Sequence, residues 1–263
     1  MRSMHKGIGK VRLPALISEY ARLDGRSRNT IAWYARNARE AGKMPTTKRG
    51  RGAAYMGVRE AVNLILACNC AEDPKEGANA IERFRSYEPF VYNDILYNDI
   101  RGKEELDKIE NCDIREIGLE RDLGKALEKL IHLTPRLFET LDETLKYWRP
   151  ERSVKERFIE ITASYEIRLT LDKYSATISL SEEPFYVRDI PNFEIKNIVK
   201  IYYCAAGMKQ LRKIQFEHTP NFRSVEVRLG FGFFLGLAKL FFEDSMQFPD
   251  ELLPQSKDGG GDG

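Results

Sequence analysis

The sequence predicts an α+β protein, with a mostly helical N-terminal unit and a body built around a small antiparallel sheet. Three observations predict it. Apolar residues recur at spacings of three and four through the first 86 residues, the period of helices packed along one side. Beyond residue 165 the period falls to two, the mark of half-buried strands. Charge is also segregated: residues 1–60 hold 14 Lys and Arg against 4 Asp and Glu, and the remaining 203 hold 28 against 36. A head of +10 and a body of −8 therefore lie behind a chain net of +2. At 263 residues, 42% hydrophobic and 31% charged, the chain has the size and composition of a globular protein of two units.

In the head, Leu13, Leu16, Ile17, Tyr20 and Ala21 form one stripe, which predicts a short helix over Leu13–Leu23. Asp24-Gly25 breaks it. Ser27 is placed to cap a second helix, running from about Arg28 to Ala41, with Gly42 as its stop. Ile31, Tyr34 or Ala35, and Ala38 should face inward. Arg28, Asn29, Arg36 and Arg39 should face outward, with Thr30 and Trp33 near the edge. Two short helices joined by a tight glycine-containing turn make the minimal helix-turn-helix shape, whose second helix can lie in the DNA major groove. Arg pairs bidentately with guanine and Asn with adenine. Arg28, Asn29 and Thr30, with Trp33, are thus candidates for base contact, while Arg26, Arg36 and Arg39 suit phosphate.

A basic loop follows. Pro45 ends helical conformation, Gly50 and Gly52 permit a tight or close-approaching backbone, and Lys48, Arg49 and Arg51 load the tip with charge. A strand near Met44–Thr46 and a return strand near Ala53–Met56 would make this a wing touching the minor groove or adjacent phosphates. Val58, Ala61, Val62, Ile65 and Leu66 predict a third helix backing the head, and Pro74 opens a fourth with Ala78, Ile81 and Phe84 inward and Arg83 and Arg85 outward.

The run from Ser27 through Ala67 carries Ala35-Arg36, Arg39-Glu40-Ala41-Gly42, Lys48-Arg49-Gly50-Arg51-Gly52-Ala53-Ala54 and Glu60-Ala61-Val62-Asn63-Leu64-Ile65. It resembles the N-terminal helix-turn-helix segment of transcription regulators from alphaproteobacterial prophages and gene-transfer-agent systems. The resemblance covers the first third of the chain and implies a regulator of mobile-element or phage-related genes.

The expected organisation is a helix-turn-helix, winged or simple, over residues 10–86, a linker or dimer arm over 87–118, an α+β regulatory or assembly domain over 119–254, and a disordered tail over 255–263. In the body, Leu119–Trp148 reads as one or two amphipathic helices, with Pro135 starting the second. Ile167, Leu169 and Leu171 alternate with polar residues, as do Ala176, Ile178 and Leu180 across Asp172-Lys173-Tyr174-Ser175, which predicts a hairpin. Phe185–Val187, Ile214–Phe216 and Val225–Leu229 are further strand candidates, Ile198–Leu211 suits helix or strand, and Gly236–Glu243 reads as helix.

No nucleophile motif, phosphate loop or dinucleotide fingerprint is present, so neither catalysis nor a cofactor is expected. The glycines of Leu229–Gly236 suit close packing of strand on helix. Cys68-x-Cys70 puts its thiols on different helix faces, with no partner pair to complete a metal site. Met1–Lys10 lacks the apolar stretch of a secretory leader, and Leu229–Phe242 is too short to span a bilayer, so a cytoplasmic protein with no membrane partner is expected. The expected partner is double-stranded DNA, bound by a homodimer, with RNA polymerase or another protein as a further contact. The rivals are an interaction module whose basic head binds an acidic partner, and a nucleic-acid-processing enzyme whose acids assemble only on folding.

Overall fold

The computed structural model describes residues 11–46, 54–89, 116–117, 120–171, 175–182, 196–204 and 225–242. Among them the chain is α+β, with seven α-helices, a two-stranded sheet in the head and a five-stranded sheet in the body. The loop bearing Lys48, Arg49 and Arg51, the middle of the linker, the tail, and the strands expected at Phe185–Val187 and Ile214–Phe216 lie outside the described residues.

The head begins with β1 (Val11–Arg12), which runs straight into α1 (Leu13–Asp24). Leu16, Ile17, Tyr20 and Ala21 are buried, and Gly25 closes the helix at φ 79°, a left-handed conformation that glycine adopts without a Cβ penalty. α2 (Arg28–Glu40) starts three residues later. β2 (Tyr55–Met56) leads into α3 (Val58–Cys70), whose residues from Ala61 to Cys68 are all buried. A stretch of helix buried on every side sits at the centre of its unit. A 3-10 turn at Pro74–Glu76 then opens α4 (Gly77–Arg85).

The expected wing is corrected in one strand. Met44–Thr46 is not a strand; β2 pairs antiparallel with β1 instead, Val11 opposite Met56 and Arg12 opposite Tyr55. Pro45 has no N–H to give a ladder, and the Lys43 carbonyl is taken by the Asn63 amide on α3. That end of the chain is thus tied to a helix, while Met44 sinks into the core.

In the body, of the one or two helices expected over Leu119–Trp148 the structure has one, and Pro135 does not start a second. α5 (Leu123–Trp148) is one helix of 26 residues with Pro135 inside it. An interior proline costs roughly 3 kcal/mol. Leu130, Ile131, Leu133, Leu137 and Phe138 are buried around it, and at roughly 1.5–3 kcal/mol for each buried apolar side chain their packing outweighs that cost. α6 (Val154–Ser164) folds back along α5, and buried Arg157 pairs with Asp142 at 2.7 Å.

β4 (Tyr165–Leu171) and β5 (Ser175–Glu182) form the expected hairpin, with Leu171 opposite Ala176. The ambiguous segment resolves as strand β6 (Lys196–Cys204), and β7 (Val225–Gly230) completes the set. A short strand at the start of the expected linker, β3 (Glu88–Pro89), adds an edge, so the all-antiparallel order is β3-β6-β5-β4-β7.

The last helix, α7 (Phe231–Phe242), buries Phe231, Phe233, Phe234, Leu237 and Phe241 and joins the two units. Tyr20 of α1 meets Phe233 edge to face, ring centroids 5.4 Å apart. A Cβ on Gly236 would stand 2.6 Å from Leu23, and one on Gly232 would meet Thr162 at 3.9 Å. Gly236 therefore serves helix-on-helix approach, where strand-on-helix was expected, while Gly232 would take a Cβ in ordinary contact. One cluster of buried side chains runs from Val11 to Phe241, so the step in sequence pattern near residue 86 is not a break in packing.

Candidate nucleic-acid interface

The geometry of α2 is set at its first turn. Ser27 is extended (φ −60°, ψ 144°), and its hydroxyl accepts the Thr30 N–H at 3.1 Å. This is the expected cap, and it satisfies one of the free amides at a helix start. The Thr30 hydroxyl bonds the same Ser27 oxygen at 2.8 Å. Thr30 is therefore engaged in the cap and only half-exposed.

Ile31, Tyr34, Ala35 and Ala38 lock the inward face, as expected. At 100° per residue the opposite side is centred on Asn29, Trp33, Arg36 and Glu40, with Arg28, Ala32 and Arg39 on the flank toward α1. Trp33, expected near an edge, stands in the middle of the outward stripe and is 53% exposed. Between α1 and α2 lies an open groove of about 340 Å³ lined by Leu13, Pro14, Ile17, Arg28, Asn29, Ala32, Arg36 and Arg39. The fold thus gathers four expected residues, Arg28, Asn29, Arg36 and Arg39, around one depression with an apolar floor. Arg36 donates to Glu40 at 2.7 Å, and that hydrogen bond holds its guanidinium even more firmly protonated than usual. Arg28, Asn29 and Arg39 have no side-chain hydrogen bond or ion pair among the described residues.

Arg26 departs from expectation. Its guanidinium pairs with Asp24 through two nitrogens, donates to the Cys68 carbonyl at 2.6 Å and to Asn69 Oδ1 at 2.9 Å. It ties the α1–α2 turn to the end of α3 with four of its five N–H donors, which leaves one Nη1–H uncommitted among the described residues. Arg85 departs likewise: it turns inward, donating to Asn63 Oδ1 at 2.7 Å and pairing with Glu128 of α5, and burial lowers its pKa from the usual guanidinium range. Lys48, Arg49 and Arg51, outside the described residues, are neither joined to this surface nor separated from it.

Two further exposed residues, Arg12 and Tyr55, stand opposite each other on the β1–β2 ladder. Arg12 projects from β1 immediately before Leu13 and stands 5.5 Å from the centre of the Tyr55 ring. The signal was the brief alternation Val11 in, Arg12 out, paired with Tyr55 out, Met56 in; two-residue strands are too short for periodicity to reveal.

Cys68 is buried, and burial pushes its thiol up to about 12; the Cys70 thiol is pushed up by the same cause. Neither is an ionised ligand or nucleophile near neutral pH. Among the described residues no helix is long and apolar enough to cross a membrane. No protein-family model, curated protein or solved structure matches this chain.

Proposed function

We propose that the protein is a sequence-specific DNA-binding transcription regulator of phage or other mobile-element genes, acting as a homodimer through α2. One observation carries this reading: Arg28, Asn29, Trp33 and Arg39 stand exposed or half-exposed, with no side-chain partner among the described residues, on a helix whose other face is locked in a core. Free guanidinium and amide groups on a rigid helix meet the geometric needs of major-groove contact. The head's net +10 supplies the attraction to a polyanion that precedes such contact. Dimerisation is included because two-fold symmetry doubles the contacts on a palindromic site.

The test is selection of duplexes from a random library by the full-length chain, followed by anisotropy titrations at several salt concentrations. Affinity should fall steeply with salt. Arg39→Ala should weaken binding to every duplex, whereas Asn29→Ala should chiefly reduce preference for the selected site, by about 1–3 kcal/mol. Equal losses on selected and random DNA for Asn29→Ala would remove base readout. A groove with an apolar floor under three arginines also suits an acidic amphipathic protein segment, and absence of duplex binding would favour that partner.

A further inference from the structure

We propose that Trp33 reads the 5-methyl group of thymine, so that the site bound by α2 contains a thymine about two base pairs from the base that Asn29 faces. This rests on α2 being the DNA-reading helix. Trp33 is unusual for its residue type. Tryptophan is highly buried on average, yet this one is 53% exposed, and its indole makes no hydrogen bond, ring contact or cation contact among the described residues. The core of the head is complete without it, since the inward face of α2 consists of Ile31, Tyr34, Ala35 and Ala38.

Its position narrows what the ring meets. Asn29 lies four residues before it and Arg36 three after, so the three side chains share one face. Arg28, Asn29, Arg36 and Arg39 line the groove toward α1, and Trp33 does not. In a major-groove docking the N-terminal residues of the reading helix reach the base edges, so with Asn29 there Trp33, one turn further along the same stripe, faces the neighbouring bases. The thymine methyl is the one apolar group that a base pair offers in the major groove. A large uncharged ring gains there by burying that methyl, and gains nothing comparable over a phosphate. Four residues of helix advance about 6 Å, and base pairs are spaced about 3.4 Å apart, which gives the separation of about two base pairs.

The indole N–H is the competing explanation, since it can donate to a phosphate or base acceptor. Phenylalanine keeps an apolar ring and lacks that donor, so Trp33→Phe and Trp33→Ala separate the two. The selected duplex is resynthesised with deoxyuridine replacing each thymine in turn, which removes only the methyl, and is titrated with full-length protein at fixed salt. Wild type should bind about fourfold more weakly at one such position, the worth of one buried methyl. Trp33→Phe should keep that discrimination, and Trp33→Ala should lose it while binding both duplexes more weakly. The inference is overturned if uridine is tolerated at every position, if the selected site holds no thymine, or if Trp33→Phe loses the discrimination together with Trp33→Ala. Salt-sensitive duplex binding without a uridine effect overturns this inference alone; absence of duplex binding overturns the DNA reading as well.

Discussion

Glu40→Gln should tighten duplex binding and steepen its dependence on salt. Glu40 is the last residue of α2, and its carboxylate accepts from Arg36 at 2.7 Å, with the two side chains 57% and 69% exposed. The pair does little for the fold. It is exposed, it runs Arg before Glu, the less favourable order, and it sets a negative charge at the negative end of the helix dipole. Its effect on a nucleic-acid surface is larger, because it neutralises one of the three arginines lining the groove and stations an anion beside them. Glutamine keeps the shape and the acceptor while removing the charge. Freeing Arg36 adds one cation for phosphate, which raises the slope of log affinity against log salt by about 0.9. Between about 50 and 200 mM salt, a fourfold span, the affinity ratio of variant to wild type should change by about 3.5-fold, in favour of the variant at low salt. Anisotropy titrations on one labelled duplex at four salt concentrations read the slope, and thermal unfolding alongside should show a nearly unchanged midpoint. An unchanged or shallower slope in a folded Glu40→Gln protein would refute the placement of this face against phosphate. Arg36→Ala provides the converse: its effect on the slope should be smaller than that of Arg39→Ala, because Arg36 begins neutralised.

Two stability predictions follow from the body. Glu128→Ala leaves Arg85 buried beside Asn63 without its carboxylate; with the pair 16% and 13% exposed, the loss should be about 2–3 kcal/mol in urea denaturation, below the range for fully dry pairs, and a loss under about 1 kcal/mol would show that the pair does not hold α4 to α5. Glu156 accepts the Ser153 N–H at 2.8 Å and the Ser153 hydroxyl at 2.9 Å, which holds its carboxyl below the usual carboxylate range. A depressed acid stabilises the fold fully above its unfolded value, near pH 4.3, and loses that contribution as pH falls through its folded value. The midpoint difference between wild type and Glu156→Gln should therefore be constant at neutral pH and shrink only below about pH 4, and a difference that grows on acidification would contradict this.

What the sequence made legible was local. The α1–α2 pair follows from Leu13-Leu16-Ile17-Tyr20 and from the Ser27 cap, and the β4–β5 register from alternation on either side of Asp172–Ser175. What it hid depended on distant partners. The Pro135 helix is continuous because residues on both sides of the proline are buried, which a proline signal does not report. Val11–Arg12 becomes a strand through residues some 44 positions away, on a ladder too short to leave a period. Arg26 and Arg85 looked like solvent-facing cations until Asp24, Asn69 and Glu128 were brought beside them. On α2, residue type and helical phase put Arg28, Asn29, Arg36 and Arg39 on the outward side, where they lie, whereas Trp33, expected near the edge, stands in the middle of that side.

The docking of head on body bears directly on how α2 can act. A reading helix must hold its side chains to within a fraction of an ångström, and a basic helix pair alone lacks the core to do so. Here the precision comes from three sides. The inward face packs on α3, the turn before α2 is pinned by Arg26, and the chain just past its far end is held by the Lys43 carbonyl on Asn63. Asn63, itself 2% exposed, is the joint: its amide nitrogen holds the Lys43 carbonyl, and its oxygen accepts from Arg85, which pairs with Glu128 of α5. The position of α2 is therefore set by the body as well as by the head, and among the described residues the side of α2 that carries Asn29, Trp33 and Arg36 is left open together with the groove toward α1. A chain that needed only a diffuse basic patch would have no use for a buried polar chain at the end of that helix, because an unsatisfied Asn63 would cost about 1–3 kcal/mol and a loose cationic surface gains nothing from fixed orientation.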